Sequence, residues 1–122
     1  KERVKLWNNY HSLLEDLEIS GQIKRPHIPK ECTTNGHIYY ILVEKEQRDI
    51  IIAKLLERNI QATSHYIPLH SSPAGLKYGK PFGSLPRTVN CSLSIIRLPL
   101  WLGLSNNEQE YIVDSLKLIL KK

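Results

Sequence analysis

The 122-residue chain has no methionine, no dense run of one charge and only two cysteines. Cys32 and Cys91 lie far apart and outside any C-x-x-C pair, which excludes the pattern of a secreted disulfide framework. We expect both to be reduced thiols in a cytoplasmic protein. No apolar run is long enough to cross a membrane and no secretory signal is present, so we expect no membrane partner.

The beginning of the chain lacks two usual features. It has no initiating methionine, and it opens within the helical pattern K-E-R-V-K-L-W without a capping Ser, Thr, Asp or Asn in front. We therefore expect these residues to be part of a longer protein. Their number predicts one domain, residues 1–122.

The common motifs of catalytic and metal sites are also missing. The sequence contains no Walker loop, no G-x-G-x-x-G after a strand, no G-x-S-x-G turn and no H-E-x-x-H helix. His65 and His70 are five residues apart across Pro68, which is poor spacing for two metal ligands on one helix. We expect no metal site and no catalytic residue in this chain.

The formal net charge is +5, and the basic residues are spread along the chain. The interpretation that we favour is a solvated basic surface. The alternative is attraction for a phosphate-bearing ligand or for nucleic acid.

Hydrophobic periodicity predicts the order of the elements. Apolar residues at three- and four-residue steps predict an amphipathic helix over 4–17, which Ser20-Gly21 ends. The further elements are a strand over 37–43, a helix over 47–58 closed by Asn59, a strand over 60–66, a short helix over 89–96, a short strand over 97–100 and a last helix that begins with a Ser105/Glu108 capping box. Few strands separated by helices predict an α+β fold, with a small sheet packed against helices.

Residues 65–79 are the most informative stretch. They follow a predicted strand and contain two histidines, two tyrosines, two prolines, two glycines and a lysine. A long polar and aromatic loop held by a rigid strand is a usual place for binding groups. The alternative is a surface loop that the prolines only stiffen.

The order of several motifs resembles the small domain of the DegT/DnrJ-type sugar aminotransferases. The motifs are H-Y-I-P-L-H at 65–70, S-S-P-A-G at 71–75, Y-G at 78–79, and R-L-P-L-W at 97–101 followed by the closing helix. The first helix is similar to the one that joins the two domains in this family. The resemblance covers nearly the whole chain.

The resemblance implies the C-terminal domain of a fold-type-I enzyme that uses pyridoxal 5′-phosphate (PLP). It implies amino transfer from glutamate to a dTDP-linked 4-keto-6-deoxy sugar by a homodimer, in lipopolysaccharide or enterobacterial common antigen biosynthesis. In this family the Schiff-base lysine lies in an N-terminal large domain, and no lysine here matches its motif. We therefore expect no cofactor-binding residue in this chain and no activity from the chain alone.

Residues that bind the nucleotide sugar are also implied by the resemblance. His65, Tyr66 and His70 are expected to face the sugar or its diphosphate, because imidazoles and a phenol give directional hydrogen bonds. Tyr78, with Lys77, is a secondary candidate. Arg97 is a candidate clamp for a carboxylate or phosphate; for it a structural ion pair is the alternative, and for the two histidines local hydrogen bonding is the alternative.

Two other functional classes remain possible on the sequence. One is a non-enzymatic basic α+β module that binds RNA or another protein; the adjacent Tyr39 and Tyr40 point to opposite faces and so do not favour it, and we expect no nucleic-acid partner. The other is an inactive remnant. Trp7 and Trp101 are interpreted as core or domain-interface anchors. An exposed apolar face is expected around the first helix and residues 97–104.

Overall fold

The computed structural model describes residues 1–121. In chain order the elements are α1 (Glu2–Leu13), α2 (Glu15–Ile19), β1 (Tyr39–Leu42), α3 (Arg48–Leu56), a 3-10 turn (Leu69–Ser71), α4 (Pro73–Tyr78), α5 (Pro86–Ser94), β2 (Ile95–Leu98) and α6 (Asn106–Leu120). The expected class, an α+β fold with a small sheet packed against helices, is confirmed. None of the described helices is long and apolar enough to span a membrane.

The sheet has one face in the core and one face half-open. β1 and β2 pair antiparallel, with Tyr39 opposite Leu98 and Ile41 opposite Ile96. These four side chains are buried, whereas their neighbours in sequence are only half-buried. Because side chains alternate along a strand, the half-buried residues share the opposite face of the sheet. They are Tyr40, Leu42, Ile95 and Arg97.

The core lies between the buried sheet face and the helices. α1 and α3 both pack on α6, and α3 also contacts β2. Tyr10, Leu14, Leu55 and Leu116 are fully buried there. Trp7 is 5% exposed, which confirms its interpretation as a core residue, but Trp101 is 47% exposed and is not.

The helix expected over residues 4–17 is divided at Leu14, where α1 gives way to α2. Gly21 follows α2 with φ of +74°, a left-handed conformation that glycine adopts without strain, so its predicted role is confirmed. Arg25 then connects the segment that follows α2 to both helices through hydrogen bonds. Its Nε donates to Glu18 Oε2 at 2.7 Å, and its guanidinium also donates to the backbone carbonyl of His11.

Two further predicted helix ends are confirmed. Asn59, after α3, has φ of +59°. At the start of α6 the Ser105 hydroxyl accepts from the Glu108 backbone N–H at 3.2 Å, while Glu108 accepts from the Ser105 N–H at 2.7 Å. The Glu108 carboxylate accepts hydrogen bonds from both the N–H and the hydroxyl of Ser105, and these two bonds hold the pKa of Glu108 below its ordinary value. The capping box therefore forms as the S-N-N-E sequence indicates.

The strand predicted over residues 60–66 is wrong. In this stretch only Thr63 forms a bridge to the sheet, through two hydrogen bonds with Arg97 of 3.1 and 2.7 Å. The other residues of this stretch pair with no strand among the described residues. A strand forms only where its backbone has such a partner, and β-propensity alone does not supply one.

The boundary between the short helix and the second strand was also misplaced. α5 begins at Pro86 and ends at Ser94, so Ile95 and Ile96 belong to β2 rather than to the helix. β2 ends at Leu98 because Pro99 has no N–H to donate to a ladder. Pro86 occupies the first turn of α5, the helical position at which proline is best tolerated.

The exposed apolar surface is only partly where the sequence predicted it. Trp101 and Leu102 are exposed, but the large apolar side chains of α1 are buried or half-buried. A larger exposed apolar set lies between residues 66 and 82. It consists of Tyr66, Ile67, Leu69, Leu76, Tyr78 and Phe82.

Candidate functional site

Residues 65–79 are not a plain loop. After Pro68 the chain makes a 3-10 turn, and Ser72 then caps α4 by accepting from the Gly75 N–H at 3.0 Å. The Ser72 hydroxyl also donates to the Leu69 carbonyl at 2.9 Å. A Cβ on Gly75 would lie 1.5 Å from the Leu69 oxygen, so only glycine fits there. The Ser-Pro pair that opens α4, with serine as the cap and proline as the first helical residue, is a helix-start signal that the loop interpretation overlooked.

Two open grooves lie between this segment and α5. The first groove has a volume of about 510 Å³ and the second of about 580 Å³. The first is lined by residues 65–68, Arg87, Thr88, Cys91, Ser92 and Ile95. The second is lined by Leu69, His70, Ala74, Gly75, Tyr78–Pro81, Leu85 and Thr88. Because Thr88 lines both, the grooves adjoin on one side of the molecule.

The structure brings four of the five predicted site residues to these grooves. His65 and Tyr66 line the first groove, and His70 and Tyr78 line the second. Their side chains are accessible, since Tyr66 and Tyr78 are each 80% exposed and His70 is half-buried. The His65 and Tyr66 rings meet edge to face at 5.2 Å, and Lys77 Nζ lies 5.0 Å from the centre of the Tyr78 ring.

Arg97 lies in neither groove. It lines a separate cavity of about 180 Å³ on the half-open sheet face, which we call the Arg97 cavity. His37, Gln61 and Thr63 contribute the other polar side chains of that cavity. The guanidinium takes part in none of the ion pairs formed within residues 1–121, so the described residues do not provide the structural ion pair given as an alternative.

Two basic residues of the grooves were missed by the sequence analysis. Arg87 lines the first groove and Lys80 lines the second. A signal was available, because no Asp or Glu occurs between Glu57 and Glu108. That stretch carries five basic residues, so positive charge around the grooves has no acidic neighbour in sequence to neutralise it. The basic residues are Arg58, Lys77, Lys80, Arg87 and Arg97.

The rings of Trp7, Tyr10, His11 and Tyr39 contact one another between α1 and the buried face of the sheet, and this cluster is a structural feature rather than a binding surface. Tyr39 is fully buried, and its Oη lies 3.2 Å from His11 Nδ1, so it is unavailable for base stacking by an RNA. Burial raises the pKa of the Tyr39 phenol above its ordinary value. Burial, and then the charge of Arg25, lower the pKa of His11.

Comparison with known proteins decides the family. The sequence profile described as the DegT/DnrJ/EryC1/StrS aminotransferase family matches residues 1–117. The chain belongs to this family. The resemblance found in its motifs is thereby confirmed.

Two relatives show how much of such an enzyme this chain represents. It is 29% identical over 115 residues to the dTDP-3-amino-3,4,6-trideoxy-alpha-D-glucose transaminase of Streptomyces venezuelae, covering 91% of this chain and 30% of that enzyme. It superposes on the solved DesV of S. venezuelae with a TM-score of 0.86 and 26% identity, covering 99% of this chain and 32% of DesV. The chain therefore spans about a third of the length of the relatives it matches.

A third relative has been solved with its cofactor bound. NtdA of Bacillus subtilis, solved with bound PMP, matches with a TM-score of 0.85 and 25% identity over 99% of this chain and 28% of that chain. PMP is the amino form of PLP, so the cofactor implied by the resemblance is confirmed for a structural relative.

Residues 1–121 do not by themselves fit that cofactor. A lysine that forms an imine needs an environment that lowers its pKa, through burial or a neighbouring cation. Every described lysine is exposed except Lys117, which is half-buried on α6 and lines none of the three cavities described above.

Proposed function

We propose that this chain is the substrate-facing part of a sugar aminotransferase. The intact enzyme uses PLP to move an amino group from glutamate to a 4-keto-6-deoxy sugar carried on dTDP. The lysine that holds the cofactor belongs to a preceding large domain, and residues 1–122 form one domain that is inactive alone. The observation that carries the proposal is the pair of adjoining grooves in a member of this aminotransferase family.

The size and charge of the grooves support a nucleotide sugar. Each has a volume within the usual range of about 300–1,000 Å³ for small-molecule sites, and together they form an extended surface. No carboxylate from residues 1–121 lines either groove, while Arg87 and Lys80 each contribute a positive charge. A diphosphate is attracted to such a surface, and the exposed rings of Tyr66 and Tyr78 offer flat apolar contacts for a base or sugar.

The proposal includes the setting of the enzyme. The accessible apolar side chains between residues 66 and 82 support a homodimer in which a partner covers them. Cys32 and Cys91 are exposed and not joined in a disulfide, which supports the cytoplasm. A role in lipopolysaccharide or enterobacterial common antigen biosynthesis stays a prediction.

The test uses the full-length enzyme with His65→Ala, His70→Ala and Arg87→Gln. We expect each change to raise the KM for the dTDP-4-keto sugar by about ten- to hundredfold, the effect of losing one hydrogen bond to a charged group. The absorbance spectrum of the bound cofactor should stay that of the unchanged enzyme.

Two matched controls accompany these variants. His27→Ala and Arg58→Gln remove the same side chains at exposed positions outside both grooves. The site assignment is wrong if both histidine variants keep the kinetics of the unchanged enzyme. The proposed reaction is wrong if the full-length enzyme fails to aminate any dTDP-4-keto sugar with glutamate.

A further inference from the structure

A further pocket lies beside the start of α6, and we call it the Trp101 pocket. Its volume of about 340 Å³ falls within the usual range of about 300–1,000 Å³ for small-molecule sites. It shares no lining residue with either groove. The pocket is lined by residues 59–61, by Pro99, Trp101 and Leu104 beyond β2, and by Glu108, Tyr111 and Ile112 of α6.

The Trp101 pocket has an apolar floor and aromatic walls. The side chains of the floor are buried; they are Ile60, Leu104 and Ile112. Trp101 and Tyr111 stand at the sides and are 47% and 52% exposed. The Tyr111 hydroxyl donates to the Arg58 carbonyl at 3.2 Å, which restrains the ring. About half of each aromatic side chain is therefore open to a ligand that has an apolar face of its own.

Polar groups complete the pocket. Glu108 Oε2 accepts from the N–H and the hydroxyl of Ser105, both at 2.7 Å, and these two bonds fix the carboxylate. Its Oε1 takes part in none of the hydrogen bonds formed within residues 1–121, so it can accept one from a ligand. The exposed amides of Asn59 and Gln61 add groups that both donate and accept.

The charge of the pocket selects an uncharged ligand. No Lys, Arg or His of residues 1–121 lines it, in contrast to the grooves with Arg87 and Lys80. The ionised carboxylate of Glu108 repels a phosphate at this distance. A strong cation is not favoured either, because Glu108 lies in the first turn of α6 and offsets the partial positive charge of that helix end.

A sugar ring without phosphate has the matching chemistry. One face of a pyranose carries C–H groups that pack on an aromatic ring, and its hydroxyls donate to carboxylates and exchange hydrogen bonds with amides. We propose that the Trp101 pocket binds an uncharged sugar ring, with its apolar face on Trp101 and its hydroxyls on Asn59, Gln61 and Glu108. This sugar is a different ligand from the nucleotide sugar of the grooves, and the pocket holds it whatever reaction the grooves serve.

The test measures binding of methyl β-glucopyranoside and methyl β-galactopyranoside to the full-length protein by saturation-transfer NMR. We expect at least one of them to bind with a Kd of the order of 1 mM, since such ligands have few atoms. Trp101→Ala should weaken this binding about tenfold or more, and Trp101→Phe, which keeps a ring, should weaken it less. Asn59→Gly removes the amide but keeps the left-handed backbone and should weaken binding about three- to tenfold.

The controls separate this pocket from other sites. Phe82→Ala removes an exposed ring that lines neither a groove nor the pocket, and it should leave sugar binding unchanged. Excess dTDP, a probe for the basic grooves, should not displace the methyl glycoside. Binding of neither glycoside, an equal loss in Trp101→Ala and Phe82→Ala, or binding that survives Trp101→Ala would each overturn the proposal. Displacement by dTDP would place the sugar in the grooves and overturn it as well.

Discussion

The buried side chain of Gln109 joins the two ends of the chain. Its Nε2 donates a hydrogen bond of 2.9 Å to the backbone carbonyl of Leu6, which lies 103 residues earlier. Its Oε1 accepts from Asn9 Nδ2, also at 2.9 Å. Gln109 is 0% exposed, so both hydrogen bonds between α6 and α1 are shielded from water on the Gln109 side. A buried amide with all its contacts inside the fold fixes how these two helices pack.

Replacing Gln109 should therefore destabilise the fold. Gln109→Ala removes two hydrogen bonds and leaves a space in the core, and we expect a loss of about 2–3 kcal/mol in the free energy of unfolding. Urea denaturation measures this loss. The neighbouring exposed Glu110→Ala is the matched control and should change stability little. Equal stability of the two variants would contradict the role assigned to Gln109.

Gly75 should be required for the shape of the groove segment. In Gly75→Ala the new methyl group would overlap the Leu69 carbonyl oxygen, so the 3-10 turn and α4 cannot both keep their places. Neither element contains a buried residue, so the free energy of unfolding should change little. We expect faster trypsin cleavage after Lys77, which lies in α4.

Gly79→Ala is the matched control for this experiment. A Cβ at Gly79 would meet only the Gly75 oxygen, at 3.2 Å, which a small shift relieves. Cleavage of Gly75→Ala at the rate of the unchanged protein would mean that residues 65–80 do not hold the described conformation.

His11 should make stability fall in mildly acidic solution. Burial and Arg25 place its folded-state pKa below the ordinary value of 6.5, so the unfolded chain binds the proton more readily. The stability that this residue contributes is complete above that ordinary value and is lost as the pH falls toward the folded-state pKa. We expect the free energy of unfolding to decrease as the pH falls through and below 6.5.

Glu18 should extend the same trend to lower pH. Hydrogen bonds from the Arg25 backbone and side chain lower its pKa below 4.5, so its stabilising effect is lost only below that value. His11→Asn, which can keep a hydrogen bond to Tyr39, should remove the decrease that begins near pH 6.5 but not the one below pH 4.5 that Glu18 causes. His27→Asn, at an exposed histidine, is the control. An unaltered pH profile in His11→Asn would refute the assignment.

The local signals in the sequence predicted much of the fold. The capping box at Ser105, the left-handed residues Gly21 and Asn59, and the branched run in β1 are each decided by a few adjacent residues, and all were predicted. The starts of α4 and α5 were missed although each carries a local proline signal. The strand error arose where partners far apart in sequence decide. Residues 60–66 have strand propensity, but only Thr63 meets the sheet.

The candidate site likewise has residues that local sequence motifs predicted and residues that only the tertiary structure revealed. The H-Y-I-P-L-H motif pointed to His65, Tyr66 and His70, and the structure places all three along the grooves. The sequence did not predict that α5 supplies Arg87 and Thr88 to the same grooves. The approach of α5 to residues 65–80 is a tertiary contact, which local signals do not reveal. The separation of Arg97 from the other four predicted residues likewise depends on which face of β2 it occupies and on what lies beside it.

The amino-acid sequence alone determined the α+β class, the family and the helix ends at Gly21, Asn59 and Ser105, because these depend on periodicity, motifs and capping chemistry that lie along the chain. Only the tertiary structure decided that four of the predicted residues share two adjoining grooves while Arg97 lies in a cavity of its own. The physical reason is that a cavity is formed by residues distant in sequence, whose approach is set by packing of the whole core. No local preference encodes that approach.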